Sequence, residues 1–212
     1  MAATEQIYHR VNNNIQALIY LMDMQAEGMP DEATRQMLRE LQERARAMAL
    51  VHEKLYQSHN LAQIDFGEYL HEMVSNLSRA FGAGRPIVWR IDVASLPLSV
   101  DAAIPCGLIV SELLTNALKY AFPAGQPGAG RGDGTDCTIS VEARAEGDQI
   151  TLIVGDNGVG LPAEIDWDTS RTLGLQLVNI LARHQLGAQV EVDRHAGTTF
   201  TITFTDRERK RK

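Results

Sequence analysis

Residues 104–122 read IPCGLIVSELLTNALKYAF, and residues 150–160 read ITLIVGDNGVG. The first stretch has the length and the three- and four-residue apolar spacing of a helix, carried by Leu108, Ile109, Leu113, Leu114, Ala117 and Leu118. Glu112, Asn116 and Lys119 stand four and three residues apart, so they share one face of that helix. A buried polar group without a partner costs roughly 1–3 kcal/mol, and a bound ligand would supply the partners. The polar edge of a surface helix would account for the same three residues. An asparagine oxygen also suits Mg²⁺, a cation that takes oxygen ligands while bridging phosphates. The second stretch is an apolar strand running into a loop, the kind of place where sites are built. Asp156 can accept a hydrogen bond from an exocyclic amine such as that of adenine, with Gly158 and Gly160 letting the main chain come close. A plain turn between strands would read the same way.

Further strands are expected at Ile87–Val93, Cys137–Arg144, Gln149–Gly155, Gln189–Asp193 and Thr198–Phe204, each short and rich in β-branched or aromatic residues. Helices at Ile104–Phe122 and Leu173–Leu186 interrupt them. This order implies a two-layer α/β domain, a mostly antiparallel or mixed sheet with helices on one face. Thr172-Leu173-Gly174-Leu175 opens the second helix, where free amides attract phosphate, and the Gly197-Thr198-Thr199 turn can add donors nearby. The glycine-rich segment Pro123–Asp136, PAGQPGAGRGDGTD, reads as a mobile loop. It lacks the Gly-Lys-Ser/Thr ending of a Walker A loop.

The first third of the chain is helical in pattern. Ile7, Val11, Ile15, Leu18 and Met22 form one apolar stripe, Gly28-Met29-Pro30 stops it, and Asp31 can cap a second helix carrying Met37, Leu41, Ala45, Met48 and Leu55. Two helices joined so tightly lie antiparallel and bury little alone, so a homodimeric four-helix bundle is expected. A third helix is expected from Phe66 to Arg79. His9 is two positions from both Ile7 and Val11, which turns it about 200° from the stripe, beside Asn12, Asn13 and Gln16. Three successive asparagines are poor helix formers, so His9–Asn14, HRVNNN, was not chosen for local stability.

Composition narrows the classes. The 212 residues carry 27 acidic against 20 basic side chains, net −7, a poor balance for a nucleic-acid binder. The one basic cluster, DRERKRK at 206–212, reads as a solvated tail. Cys106 and Cys137 form no CxxC pair, and no apolar run approaches the ~18 residues of a membrane span. A cytoplasmic chain with no membrane segment and no nucleic-acid partner is expected.

In this order NALKYAF, DNGVG, LGLQLV and AGTTF resemble the N, G1 and G2 boxes of the GHKL ATPases. HRVNNN resembles the phosphoacceptor box of the HWE and second-type HisKA histidine kinases, and ALVHEKLYQS at 49–58 and IDFGEYL at 64–70 are similar to the same subfamily. The resemblance implies a Bergerat-type ATP-binding domain at 85–206 behind a dimerisation and phosphotransfer domain at 1–80, with a basic tail at 207–212. It implies that His9 is the phosphoacceptor, that Glu112 orients or deprotonates it, and that Asn116 holds Mg²⁺. Asp156 would read adenine, and Lys119, Gly158, Gly160, Gly174, Leu175 and Thr198 would complete the ATP site. A response-regulator receiver would then take the phosphoryl group on an aspartate. Asn12 stands where the subfamily usually has lysine, which puts the rate of labelling in doubt. His9 lies so near the start that no sensor precedes it in this sequence, so either a catalytic core or control in trans by a separate sensor or regulator is expected. A GHKL regulatory module, such as an anti-sigma factor or serine kinase, or a phosphotransfer scaffold without kinase activity would share parts of the pattern. Acid-labile label on a histidine separates the kinase from both.

Overall fold

A computed structural model describes residues 2–32, 34–39, 41, 42, 45, 46, 49, 63–81, 86–123, 136–170 and 172–208; for 2–12, 27, 80 and 81 it describes the backbone alone. Helix α1 spans Ala2–Gly28. Helical backbone, α2, recurs among the described residues between 32 and 49. Asp31 caps it as expected: the backbone N–H of Thr34 donates to Asp31 Oδ2 at 2.9 Å and the Thr34 hydroxyl donates to the same oxygen at 2.7 Å. The two helices form a hairpin, tied where the Gln42 amide donates to Asp23 Oδ1 at 3.1 Å and to the Ile19 carbonyl at 3.5 Å. Ile19, Ala26, Gln42 and Ala49 are buried. The expected stripe therefore divides. Leu18 and Met37, assigned to the apolar stripes, are 53% and 49% exposed, as Leu21 and Met24 also are at 55% and 56%. A hairpin buries one sector of each helix, and four-helix packing needs a second one.

The rest of the described chain is one two-layer α/β unit. Strands β2 (Val88–Val93), β4 (Thr138–Glu146), β5 (Gln149–Asp156), β6 (Gln189–Asp193) and β7 (Thr198–Thr205) form a sheet in the order β2-β4-β5-β7-β6. β2 runs parallel to β4 and the other pairs are antiparallel. A second sheet, which the sequence did not announce, pairs β1 (Gln63–Asp65) with β3 (Pro97–Ser99). Helices α3 (Phe66–Phe81), α4 (Val100–Asn116) and α5 (Leu173–Asn179) cover the main sheet. Both α4 and α5 widen into π-turns, at Ala117–Ala121 and Ile180–Gln185. Taken together, Val100–Ala121 is long and apolar enough to cross a membrane, and here it is a core helix, mostly buried. Ile109, Val110 and Leu114 are fully enclosed, each contributing roughly 2 kcal/mol by burial.

Helix α3 packs with the sheet. Phe66, Tyr69, Leu70, Met73, Val74 and Leu77 share one core with Leu98, Cys106, Ile139 and Leu152. Asp65 pins its start: Oδ1 accepts from the backbone N–H groups of Gly67, Glu68 and Leu96, and Oδ2 from the Ser95 hydroxyl at 2.6 Å. Residues 82–85, where the sequence places its domain boundary, lie outside the described residues. At the other end, Asp206, read from sequence as part of a solvated basic tail, is buried and accepts from the Ser99 N–H at 2.8 Å. Burial, with the Asp206 charge nearby, pushes the Cys106 thiol up. Both cysteines are free and buried.

Candidate functional site

A cavity of about 750 Å³ opens between α4 and the loops that follow β5. Glu112, Asn116, Lys119, Asp156, Gly160, Gly174, Leu175 and Thr198, eight of the residues singled out by sequence, all line it. Glu112 comes from the buried part of α4. Asn116 is its last α-helical residue, and Lys119 sits on the π-turn beyond. π-turns concentrate at functional sites because they re-aim side chains without ending the helix. Here the turn brings Tyr120 and Ala121 to the cavity wall as well, which α-helical spacing did not foretell.

Asp156 ends β5 and is held rigidly. Its Oδ1 accepts the N–H of Gly158 at 2.9 Å and of Thr198 at 3.3 Å. Burial raises its pKa despite these two bonds, which act to lower it. With Oδ1 engaged by two backbone donors, Oδ2 is the atom placed to meet a ligand. Asn157 fastens the same turn to β4: its Oδ1 accepts from Thr138 N at 2.7 Å, and its amide donates to the Asp136 carbonyl at 2.9 Å.

Gly158 is the exception among the expected binding residues, since it is not on the cavity wall. A Cβ there would lie 2.2 Å from the Ala121 carbonyl oxygen, the atom that accepts Val159 N–H at 2.9 Å. Its lack of a side chain lets the turn dock on the end of α4, whereas sequence reasoning assigned it an approach to the ligand ring. Gly197, at φ 99°, is equally constrained, because a Cβ would fall 2.0 Å from the Asp156 carbonyl oxygen. That contact sets Thr198 N–H against Asp156. The AGTTF signal was visible, but its purpose was not.

Much of the lining is apolar, with Val154, Phe200, Leu161 and Ile165 among its residues, and Phe200 pairs with Val154 on neighbouring strands to form what serves as its floor. A mostly apolar lining with a few polar groups suits a small ligand that has a flat apolar part. From the hairpin, Gln36 and Arg39 also line the cavity. Arg39 also pairs with Glu32 at 3.3 Å. His9 lies in α1, and its ring is outside the described residues, as are the Arg10 and Asn12 side chains and residues 50–58 of ALVHEKLYQS. The loop at 124–135 is outside them too.

Comparison with known proteins agrees with this geometry. Residues 6–81 match the family model described as Histidine kinase, and residues 102–208 match that of the Histidine kinase-, DNA gyrase B-, and HSP90-like ATPase. The chain is 31% identical over 215 residues to blue-light-activated histidine kinase 2 of Erythrobacter litoralis, covering 95% of this chain and 55% of that one. It is 29% identical over 186 residues to the sensor histidine kinase PdtaS of Mycobacterium tuberculosis, covering 87% and 35%. It spans about a third to about half of the length of these relatives. Among solved structures, the histidine kinase domain of the Erythrobacter litoralis blue-light activated kinase superposes with TM-score 0.69 at 25% identity, over 95% of this chain and 90% of that one. The Acinetobacter baumannii histidine kinase AdeS shares the fold, with TM-score 0.57 at 18% identity over 93% and 96%. The chain therefore belongs to the Histidine kinase-, DNA gyrase B-, and HSP90-like ATPase family, with a histidine-kinase segment ahead of the ATPase domain.

Proposed function

We propose that this chain is a protein histidine kinase of two-component signalling, which binds ATP in the α4–Asp156 cavity and transfers the γ-phosphoryl group to His9. The carrying observation is the convergence of Glu112, Asn116, Lys119, Asp156, Gly160, Gly174, Leu175 and Thr198 on one cavity, in a chain whose first helix holds His9. Adenine lies on the Val154 and Phe200 floor, with its exocyclic amine donating to Asp156 Oδ2. Lys119 faces the phosphates.

Among the described residues no group of three histidine, cysteine or acidic side chains could cage a metal ion. The Asn116 oxygen on the cavity wall fits Mg²⁺, which keeps waters and takes nucleotide phosphates as its other ligands. When bound, that ion neutralises phosphate charge. An imidazole nitrogen of His9 forms the new N–P bond as the bond from the γ-phosphorus to the bridging oxygen breaks and ADP leaves. Glu112 orients the ring or takes its proton. Phosphoryl transfer asks mostly for alignment and charge neutralisation, which such a division of labour supplies.

Alignment requires domain movement. Gln42 of α2 meets α1 at Ile19 and Asp23, and Arg39 of α2 borders the cavity. His9 lies ten residues before Ile19 and fourteen before Asp23 on α1, roughly 15–20 Å at 1.5 Å per residue. For transfer the ATP domain swings along the hairpin until the γ-phosphate reaches His9. The exposed Leu18, Leu21 and Met24 complete a homodimeric four-helix bundle, and a receiver domain docks on that bundle to take the phosphoryl group on an aspartate. The setting is the cytoplasm.

His9→Gln tests the assignment: radiolabel from γ-labelled ATP is lost while ATP affinity is unchanged. Persistent label on this variant would remove His9 from its role.

A further inference from the structure

The segment from Leu161 to Thr172 joins the Asp156 turn to α5 and borders the cavity at both ends, through Leu161, Pro162 and Ile165 on one side and Thr172 on the other. Its middle turns away from the cavity. Trp167 is buried there, with its ring edge-on to Phe200 at 6.0 Å between centroids and an interplanar angle of 85°. The Arg183 guanidinium lies over the same indole, 5.3 Å from its centroid. Arg183 also pairs with Asp168 Oδ2 at 2.9 Å. One helical turn earlier, the Asn179 amide donates to Asp168 Oδ1 at 2.6 Å and to the Asp168 carbonyl at 2.8 Å. Asp166 shapes the bend, accepting from Asp168 N–H and the Thr169 hydroxyl, each at 3.1 Å.

Building on the nucleotide reading of this cavity, we propose that the Leu161–Thr172 segment acts as a lid on the site and that Trp167, Asp168, Asn179 and Arg183 are positioning residues: a clamp that pins the centre of this lid to α5 and its π-turn and so sets nucleotide affinity. Two physical consequences support this. Pinning the centre leaves two short spans in place of one long loop, so less conformational entropy remains to be lost when the lid closes on a ligand. The clamp also reaches the floor, because the ring that Trp167 touches is Phe200, which pairs with Val154 across the β5–β7 ladder and lines the cavity beside it. None of the four clamp residues borders the cavity itself, so each acts through the lid or through Phe200. The cation over the indole and the paired carboxylate make the clamp directional: Arg183 must reach both groups at once.

The test measures Mg²⁺-ATP affinity of the whole chain by calorimetry, with the labelling rate at saturating ATP alongside. Arg183→Ala should weaken binding about threefold, in keeping with a half-exposed ion pair plus a cation–π contact. Asp168→Ala, which removes the carboxylate that accepts from both side chains and leaves Asn179 only the backbone carbonyl, should weaken it about tenfold. Arg183→Lys, which keeps the charge over the indole, should stay within about twofold of the parent. The rate at saturation should not move, since no clamp residue meets the reacting atoms. A thermal melt near that of the parent shows that each variant is folded. Parent-like ATP affinity in both folded alanine variants would overturn the clamp, as would a loss confined to the saturated rate. If the unmodified chain bound no ATP at all, the nucleotide reading itself would fall, which is a different result from normal parental binding with unaffected variants.

Discussion

Replacing Asp156 by asparagine separates ligand recognition from stability, because the two effects have opposite signs. The carboxylate uses Oδ1 to accept from the N–H groups of Gly158 and Thr198. An asparagine must give its single oxygen to those two donors, which leaves its amide nitrogen where Oδ2 stood. Two donors, the amide and the exocyclic amine of adenine, then face each other. A hydrogen bond to a charged group contributes about 1.5–3 kcal/mol, and an unsatisfied donor costs about 1–3 kcal/mol more. Together they amount to roughly 3–5 kcal/mol, or a loss of ATP affinity of about 100-fold or more at 1.4 kcal/mol per factor of ten. Stability should go the other way. Burial raises the folded-state pKa of Asp156, so its charged form is disfavoured by folding. For an acid shifted upward, that penalty is fully present above the folded pKa and fades as the pH falls through it toward the unfolded value. The Asp156→Asn variant should therefore melt at the same or a higher temperature than the parent at neutral pH, with the difference vanishing in acid. Calorimetric titration with Mg²⁺-ATP and melts at several pH values measure both. Tight ATP binding by a folded Asp156→Asn chain would refute the assignment of Oδ2 as the adenine acceptor.

Three further outcomes follow from the packing. Gly158→Ala drives a methyl group against the Ala121 carbonyl, 2.2 Å from where its Cβ must go, and should cost about 2 kcal/mol and several degrees of melting temperature while weakening ATP binding. Gly187→Ala, at φ 61° with open space around it, should cost about 1 kcal/mol and leave ATP binding intact; equal effects on binding would show that the Gly158 contact does not hold the site. Leu18→Glu with Leu21→Glu should convert the chain to monomers in analytical ultracentrifugation with the ATP site unaffected, and a dimer that survives both changes would place the interface elsewhere.

The five strands of the main sheet were legible from sequence to within two residues at every end, because alternation and β-branched residues report a half-buried strand directly. β1 and β3 were not, since three residues carry no readable period and their pairing joins segments over thirty positions apart. The span of α3 was expected to within two residues, but a helical span does not say which neighbour it meets. Only the contacts of Tyr69, Leu70 and Met73 show that it belongs with the sheet. The site residues were legible as types at spacings, and eight of them do line one cavity. What sequence missed was how the cavity is braced: the Asp156–Thr198 bond, the Gly158 seat on Ala121 and the Trp167 anchor all depend on long-range approach. Glycine and tryptophan announce that something is close without saying what.

Photolabelling with 8-azido-ATP and peptide mapping tests the central claim most directly. A purine seated between α4 and the Asp156 turn predicts ATP-competed label on peptides containing residues 112–121, 154–162 or 198–200. Label that ATP does not displace, or label confined to peptides away from those segments, would contradict it.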